Sequence, residues 1–123
     1  MIRLAFLSLF FLFCLPAQAG NYSAVIQDLP LMPNMTEVPD AAVSFDTAAG
    51  RVLETAATVR AGQRQVYSFY AAALPGLGWK RDGGSHMSYT RGKEALSIEV
   101  SVGDNPEIVR VHFRLGPYDA TEQ

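Results

Sequence analysis

Three consecutive stretches near the C-terminus alternate apolar and polar residues without a break, and this alternation restricts the architecture more than any other feature of the chain. Met87 and Tyr89 carry it in "SHMSYTR", Leu96, Ile98, Val100 and Val102 in "EALSIEVSV", and Val109, Val111, Phe113 and Leu115 in "IVRVHFRL". Successive side chains of a β-strand point to opposite faces, so each stretch reads as a strand with one greasy face and one polar face. Gly92-Lys93 suits a two-residue type II′ turn, which pairs Arg91 with Glu94, Tyr89 with Leu96 and Met87 with Ile98. "GDNP" makes the next reversal, and "WKRD" at Trp79 opens a further strand. Upstream, Val43 and Phe45 alternate with Ser44 and Asp46. The small "TAAG" turn then leads to "RVLETAATV", where Leu53, Ala57 and Val59 share a face with Thr55. This is a second hairpin.

One segment breaks the period of two. From Gly62, the residues Val66, Phe69, Tyr70, Ala73, Leu74 and Leu77 follow the three-and-four spacing of an amphipathic helix. The dense run "FYAAALPGLGW" reads either as the lining of a pocket or as the end of that helix with its stop signal. The stop is well specified. Pro75 disfavours helical geometry at Leu74, and Gly76 or Gly78 can adopt the left-handed conformation of a helix end. Trp79 can fold back beneath the helix, so the aromatic cluster is explained as core. The element order is β-β-α-β-β-β-β, an α+β fold with one helix packed on one face of an antiparallel sheet.

The first nineteen residues have the anatomy of a secretory signal: Arg3, an apolar run from Leu4 to Leu15, and Ala17-Gln18-Ala19 as a cleavage site. The run is shorter than the ~20 residues of a membrane-crossing helix. Cleavage after Ala19 is expected to deliver residues 20–123 to the periplasm. The only cysteine, Cys14, lies inside the signal. Lipidation there is disfavoured because Leu12 and Phe13, rather than small residues, precede it. The remaining chain holds no cysteine, which excludes disulfides and thiol chemistry. It retains nine Lys and Arg against twelve Asp and Glu, with no basic run interleaved with aromatics. Nucleic acid is therefore not an expected partner.

Residues 20–40 show no period, and Pro30, Pro33 and Pro39 keep them out of helix and central strand. They read as an extended N-terminal arm before a single domain at 41–117, with 118–123 as a short tail. The arm's "DLPLMPNM" is apolar for a linker. It either lies along the domain and covers part of its core, or presents Leu31 and Met32 to a partner as a preformed polyproline-like segment.

Taken together, "DLPLMP", "FD" with "GR" shortly after, "FY" and "LPGLGW" resemble small exported bacterial proteins, chiefly alphaproteobacterial, over nearly the whole chain after the signal. These motifs are structural, so the resemblance implies a fold and an address. More loosely, one helix on an antiparallel sheet is similar to the small domains of envelope lipoproteins that serve outer-membrane assembly.

A single helix covers only one face of the sheet. The other face carries Ser97, Glu99 and Ser101 on one strand, Arg110, His112 and Arg114 on the next, and His86, Ser88 and Thr90 on the strand before. The turn at Gly92 places His86 opposite Glu99. Across "GDNP", matching the apolar faces leaves Glu99 opposite either Arg110 or His112. In the second register His86, Glu99 and His112 form one row, the chain's one metal-like or acid–base constellation, although its histidines lie about 10 Å apart, twice the strand spacing. Cross-strand charge pairing on a solvated face explains the same residues. No Gly-x-Ser-x-Gly, His-Glu-x-x-His, phosphate loop or dinucleotide fingerprint is present.

The expected function is therefore that of a non-catalytic envelope module without a cofactor. It would bind a protein partner through Arg110, His112, Arg114 and Glu99, or through Leu31 and Met32 of the arm. A carrier of a small apolar ligand is the alternative, with Ala71, Ala72 and Ala73 leaving room between helix and sheet. A metal or hydrolytic site at His86, Glu99 and His112 is the third.

Overall fold

The computed structural model describes residues 21–83 and 87–118. The strands are β1 (Thr36–Glu37), β2 (Val43–Thr47), β3 (Gly50–Val59), β4 (Lys80–Asp82), β5 (Met87–Arg91), β6 (Glu94–Val102) and β7 (Val109–Pro117). Helix α1 spans Gln63–Ala73. The strands make one antiparallel sheet in which β3, β7, β6, β5 and β4 follow in that order, with β1 and β2 end to end along the outer edge of β3. The α+β arrangement read from the sequence is therefore present, with one addition. Thr36–Glu37, expected within the arm, pairs with Thr58 and Ala57. β2 covers β3 only from Gly50 to Glu54, and the arm supplies the bonds that the rest of that edge needs, including Val38 N–H to Ala56 O at 2.7 Å.

The hairpin at Gly92 has the expected register, with Gly92 at φ 59°. Helix α1 begins at Gly62, whose N–H donates to Gln65 Oε1 at 2.8 Å. Its last turn runs into a 3-10 turn at Pro75–Leu77, and Gly78 at φ 90° closes it. Trp79 N–H then donates to Leu74 O. The helix buries Val66, Tyr70 and Leu74 against Leu96, Ile98, Val111 and Phe113 of the sheet's apolar face. Tyr70 meets Phe113 edge to face at 5.4 Å, and Phe69 packs on Tyr70 from the half-buried margin. Trp79 is 4% exposed and lies under the Arg91 guanidinium, 4.4 Å from its ring centroid. Arg91 also donates to Leu77 O and pairs with Glu94. The aromatic cluster is core.

The arm belongs to the same core. Ile26, Leu29, Leu31 and Met35 are buried, and Met32 packs against them. Leu31 and Met32, considered above as docking residues, are thus packing residues instead. The arm is not extended as the sequence suggested: it doubles back at Asp28 (φ 62°), so that Tyr22 pairs with Pro30 and Ser23 N–H donates to Leu29 O, and this turn places its apolar side chains in the core beside Tyr70. Polar bonds fasten it. The Glu37 carboxylate accepts from Ser23 Oγ, from Ala24 N–H at 2.9 Å and from Thr55 Oγ1 at 3.1 Å. Tyr70 donates its hydroxyl proton to Pro30 O at 2.8 Å.

Burial raises the pKa of Tyr70 above the ordinary tyrosine value, and the charge of Glu37 adds to the effect. Tyr89 is raised by burial too, with Arg81 opposing. A folded-state pKa above the unfolded one means that the folded protein holds the proton longer. The associated stability is complete below the unfolded value near 10 and is lost as pH rises beyond it. Unfolding free energy should therefore decline as pH rises beyond about 10, and Tyr70→Phe should flatten the decline. An unchanged slope in the variant would assign the titration to other groups.

Candidate functional site

β7 lies between β3 and β6, and its even-numbered residues project to the face away from α1. The register of β6 on β7 places Glu99 opposite His112, Ser97 opposite Arg114 and Ser101 opposite Arg110. Of the two registers left open by the sequence, the one that joins Glu99 to His112 is found. On the other side of β7, Glu54, Ala56 and Thr58 of β3 stand opposite Arg114, His112 and Arg110. A row of matched positions thus runs Val43, Glu54, Arg114, Ser97, Ser88 and Asp82 across six strands.

This face forms a shallow groove of about 720 Å³, walled by Glu54, Ser97, Glu99, Arg110 and His112 and bounded by Ala41 of the 3-10 turn at Pro39–Ala41. Arg114 Nε reaches Glu54 Oε1 at 3.7 Å, with both side chains substantially exposed. Such a pair is worth at most about 1 kcal/mol, so it orients Arg114 more than it stabilises the fold. Among the described residues Arg110 has no carboxylate within ion-pair distance. Its exposed guanidinium is available to an anionic or hydrogen-bond-accepting group of a partner.

Arg110, His112, Arg114 and Glu99 are therefore brought together. Leu31 and Met32 lie on the opposite, core side. His86 falls outside the described residues. Among those described, no three His, Cys, Asp or Glu side chains are close enough to share a metal ion, and no helix is long and apolar enough to cross a membrane.

Of the alanines expected to leave room for an apolar ligand, only Ala71 borders a depression, where it lies with Tyr67 and Met87. Ala71 and Ala72 are exposed and Ala73 is half-buried. That depression lies at the margin between α1 and the β4–β5 edge, and Gln63, Arg64, Ser68 and Arg81 contribute polar groups to its walls.

Sequence reasoning missed Glu54, Val43 and Phe45 as members of the open face. The two-residue reversal at Ala48-Ala49 pairs Phe45 with Val52 and Val43 with Glu54, which puts Val43 and Phe45 away from Leu53 and the core. Counting from that turn would have revealed it, because a two-residue loop fixes which residues share a face. Val43 and Phe45 remain 47% and 39% exposed. Comparison of the chain with protein-family models, with curated proteins and with solved structures gave no match.

Proposed function

We propose that the chain is a non-catalytic module of the bacterial envelope, exported to the periplasm, that binds a protein partner through the sheet face centred on Arg110, His112, Arg114 and Glu99. One observation carries the reading: these four residues converge beside Glu54 in a solvent-facing groove. The groove mixes two guanidiniums, two carboxylates and several hydroxyls, a composition suited to a polar protein surface of complementary charge. Cross-strand pairing of Arg114 with Glu54 holds one guanidinium in place, so part of the ordering cost of binding is met beforehand.

The test is a crosslinking capture from the periplasm. Charge reversal at Arg110→Glu with Arg114→Glu is expected to reduce capture of a partner at least about tenfold, since rim charges steer association and reject mismatched surfaces. His86→Ala with His112→Ala should reduce capture less than the double charge reversal, because it inverts no charge on the face, and His112→Ala should change stability by less than ~1 kcal/mol, as for an exposed position. Stoichiometric zinc in the parent protein that disappears in the double histidine variant would replace this reading with a metal site.

A further inference from the structure

The two edges of the sheet differ. β4 is three residues long, Lys80-Arg81-Asp82, all charged; short length and charge are the usual protections against edge-to-edge pairing. β2 is five residues long, reads Val-Ser-Phe-Asp-Thr, and has no proline, lysine or arginine. All five of its residues are exposed, and among the described residues it pairs only with β3.

The direction of its free hydrogen-bonding groups follows from the ladder. Val38 N–H bonds to Ala56 O, so even-numbered residues of β3 turn their backbone groups toward this edge. Phe45 opposite Val52 and Val43 opposite Glu54 are then hydrogen-bonded pairs, because bonded and non-bonded pairs alternate along an antiparallel ladder. Ser44 and Asp46 point their N–H and C=O groups outward.

We propose that this edge pairs with the β2 edge of a second copy of the chain, antiparallel, about a two-fold axis beside Phe45. This register matches the strand to itself. Ser44 of each copy faces Asp46 of the other, giving about four backbone hydrogen bonds from the outward groups. The two Phe45 rings meet in the non-bonded position, where side chains approach most closely, and Val43 faces Thr47. No like charges stand opposite each other. Each Asp46 carboxylate is already engaged by Arg51 of its own copy at 3.2 Å. The axis runs perpendicular to the sheet, so both helices lie on one side and both Arg110–His112–Arg114 grooves on the other. Five-residue strand pairing falls below the standard interface size, and the dimer is accordingly weak, with a dissociation constant on the order of 10–100 µM.

Sedimentation velocity on the purified protein from about 5 µM to about 1 mM should show a monomer–dimer equilibrium in that range. Ser44→Pro removes an outward N–H without touching a bond to β3, and Phe45→Lys places two cations at the axis. Each should weaken the dimer at least about tenfold while keeping the parent's denaturant midpoint. In a Cys14→Ser background, Phe45→Cys should crosslink under mild oxidation, because the two thiols meet at the axis. Ser44→Cys should not, because its two copies lie two residues out of register. Monomer throughout the range, or crosslinking through Ser44→Cys in place of Phe45→Cys, would overturn the proposal.

Discussion

Trp79→Ala is expected to lower the unfolding free energy by ~3–5 kcal/mol, the range for truncating a buried aromatic residue. A typical domain has about 5–15 kcal/mol in total, so this single change should bring the protein close to its unfolding threshold. The cost has two sources. The indole fills the space where the chain leaves α1 for β4, 4% exposed, and its removal leaves a cavity that the 3-10 turn at Pro75–Leu77 holds open. The Arg91 guanidinium also loses its aromatic platform, worth roughly 0.5–2 kcal/mol. Phe69→Ala should cost less than Trp79→Ala, because Phe69 lies at the half-buried margin of the cluster. Denaturant unfolding of both variants checks the order. A Trp79→Ala protein that unfolds like the parent but no longer captures a partner would make this cluster a binding pocket.

Leu29→Ala should be nearly as damaging, at ~2–5 kcal/mol, although it lies in the proline-rich arm. Leu29 is 2% exposed and its neighbour Ile26 is 1% exposed. The arm's bonds to the rest of the fold, through Glu37, Thr55 and the Tyr70 hydroxyl, hold that part of the chain rigidly enough that the cavity cannot close by arm movement. A loss below ~1 kcal/mol, the value for a surface position, would show that the arm detaches easily and return it to the role of a docking segment. Near-parental stability in that one variant would therefore move Leu31 and Met32 back among the candidate contact residues.

Local chemistry made the strands and the helix legible. The period of two placed β5, β6 and β7, and Gly92-Lys93 set the register of β5 on β6, because a tight turn leaves no freedom in pairing. Pro75 and the glycines that follow it marked the end of α1, since backbone geometry there depends on only a few neighbouring residues. The polar face was legible as well, as the complement of each apolar alternation, and so were Arg110, His112, Arg114 and Glu99 as residues sharing it.

Three features depended on contacts between distant parts of the chain. The six residues between Val102 and Val109 allow more than one register, and only the joined sheet sets Glu99 against His112. The arm has no periodicity of its own; its apolar residues acquire an inner side only once α1 and β3 form the groove they fill, and the same contact removes Leu31 and Met32 from the candidate surface. Val43 and Phe45 alternate as a core strand would, yet a sheet with a single helix has core on one face only, and the turn at Ala48-Ala49 turns them toward the other. The sequence alone determined which segments after the arm are strands, which is the helix and which residues can share a face, because these follow from side-chain period and turn chemistry. Tertiary structure decided which face the helix and arm cover and which strands stand at the edge, because burial belongs to the assembled layers and no single segment encodes it.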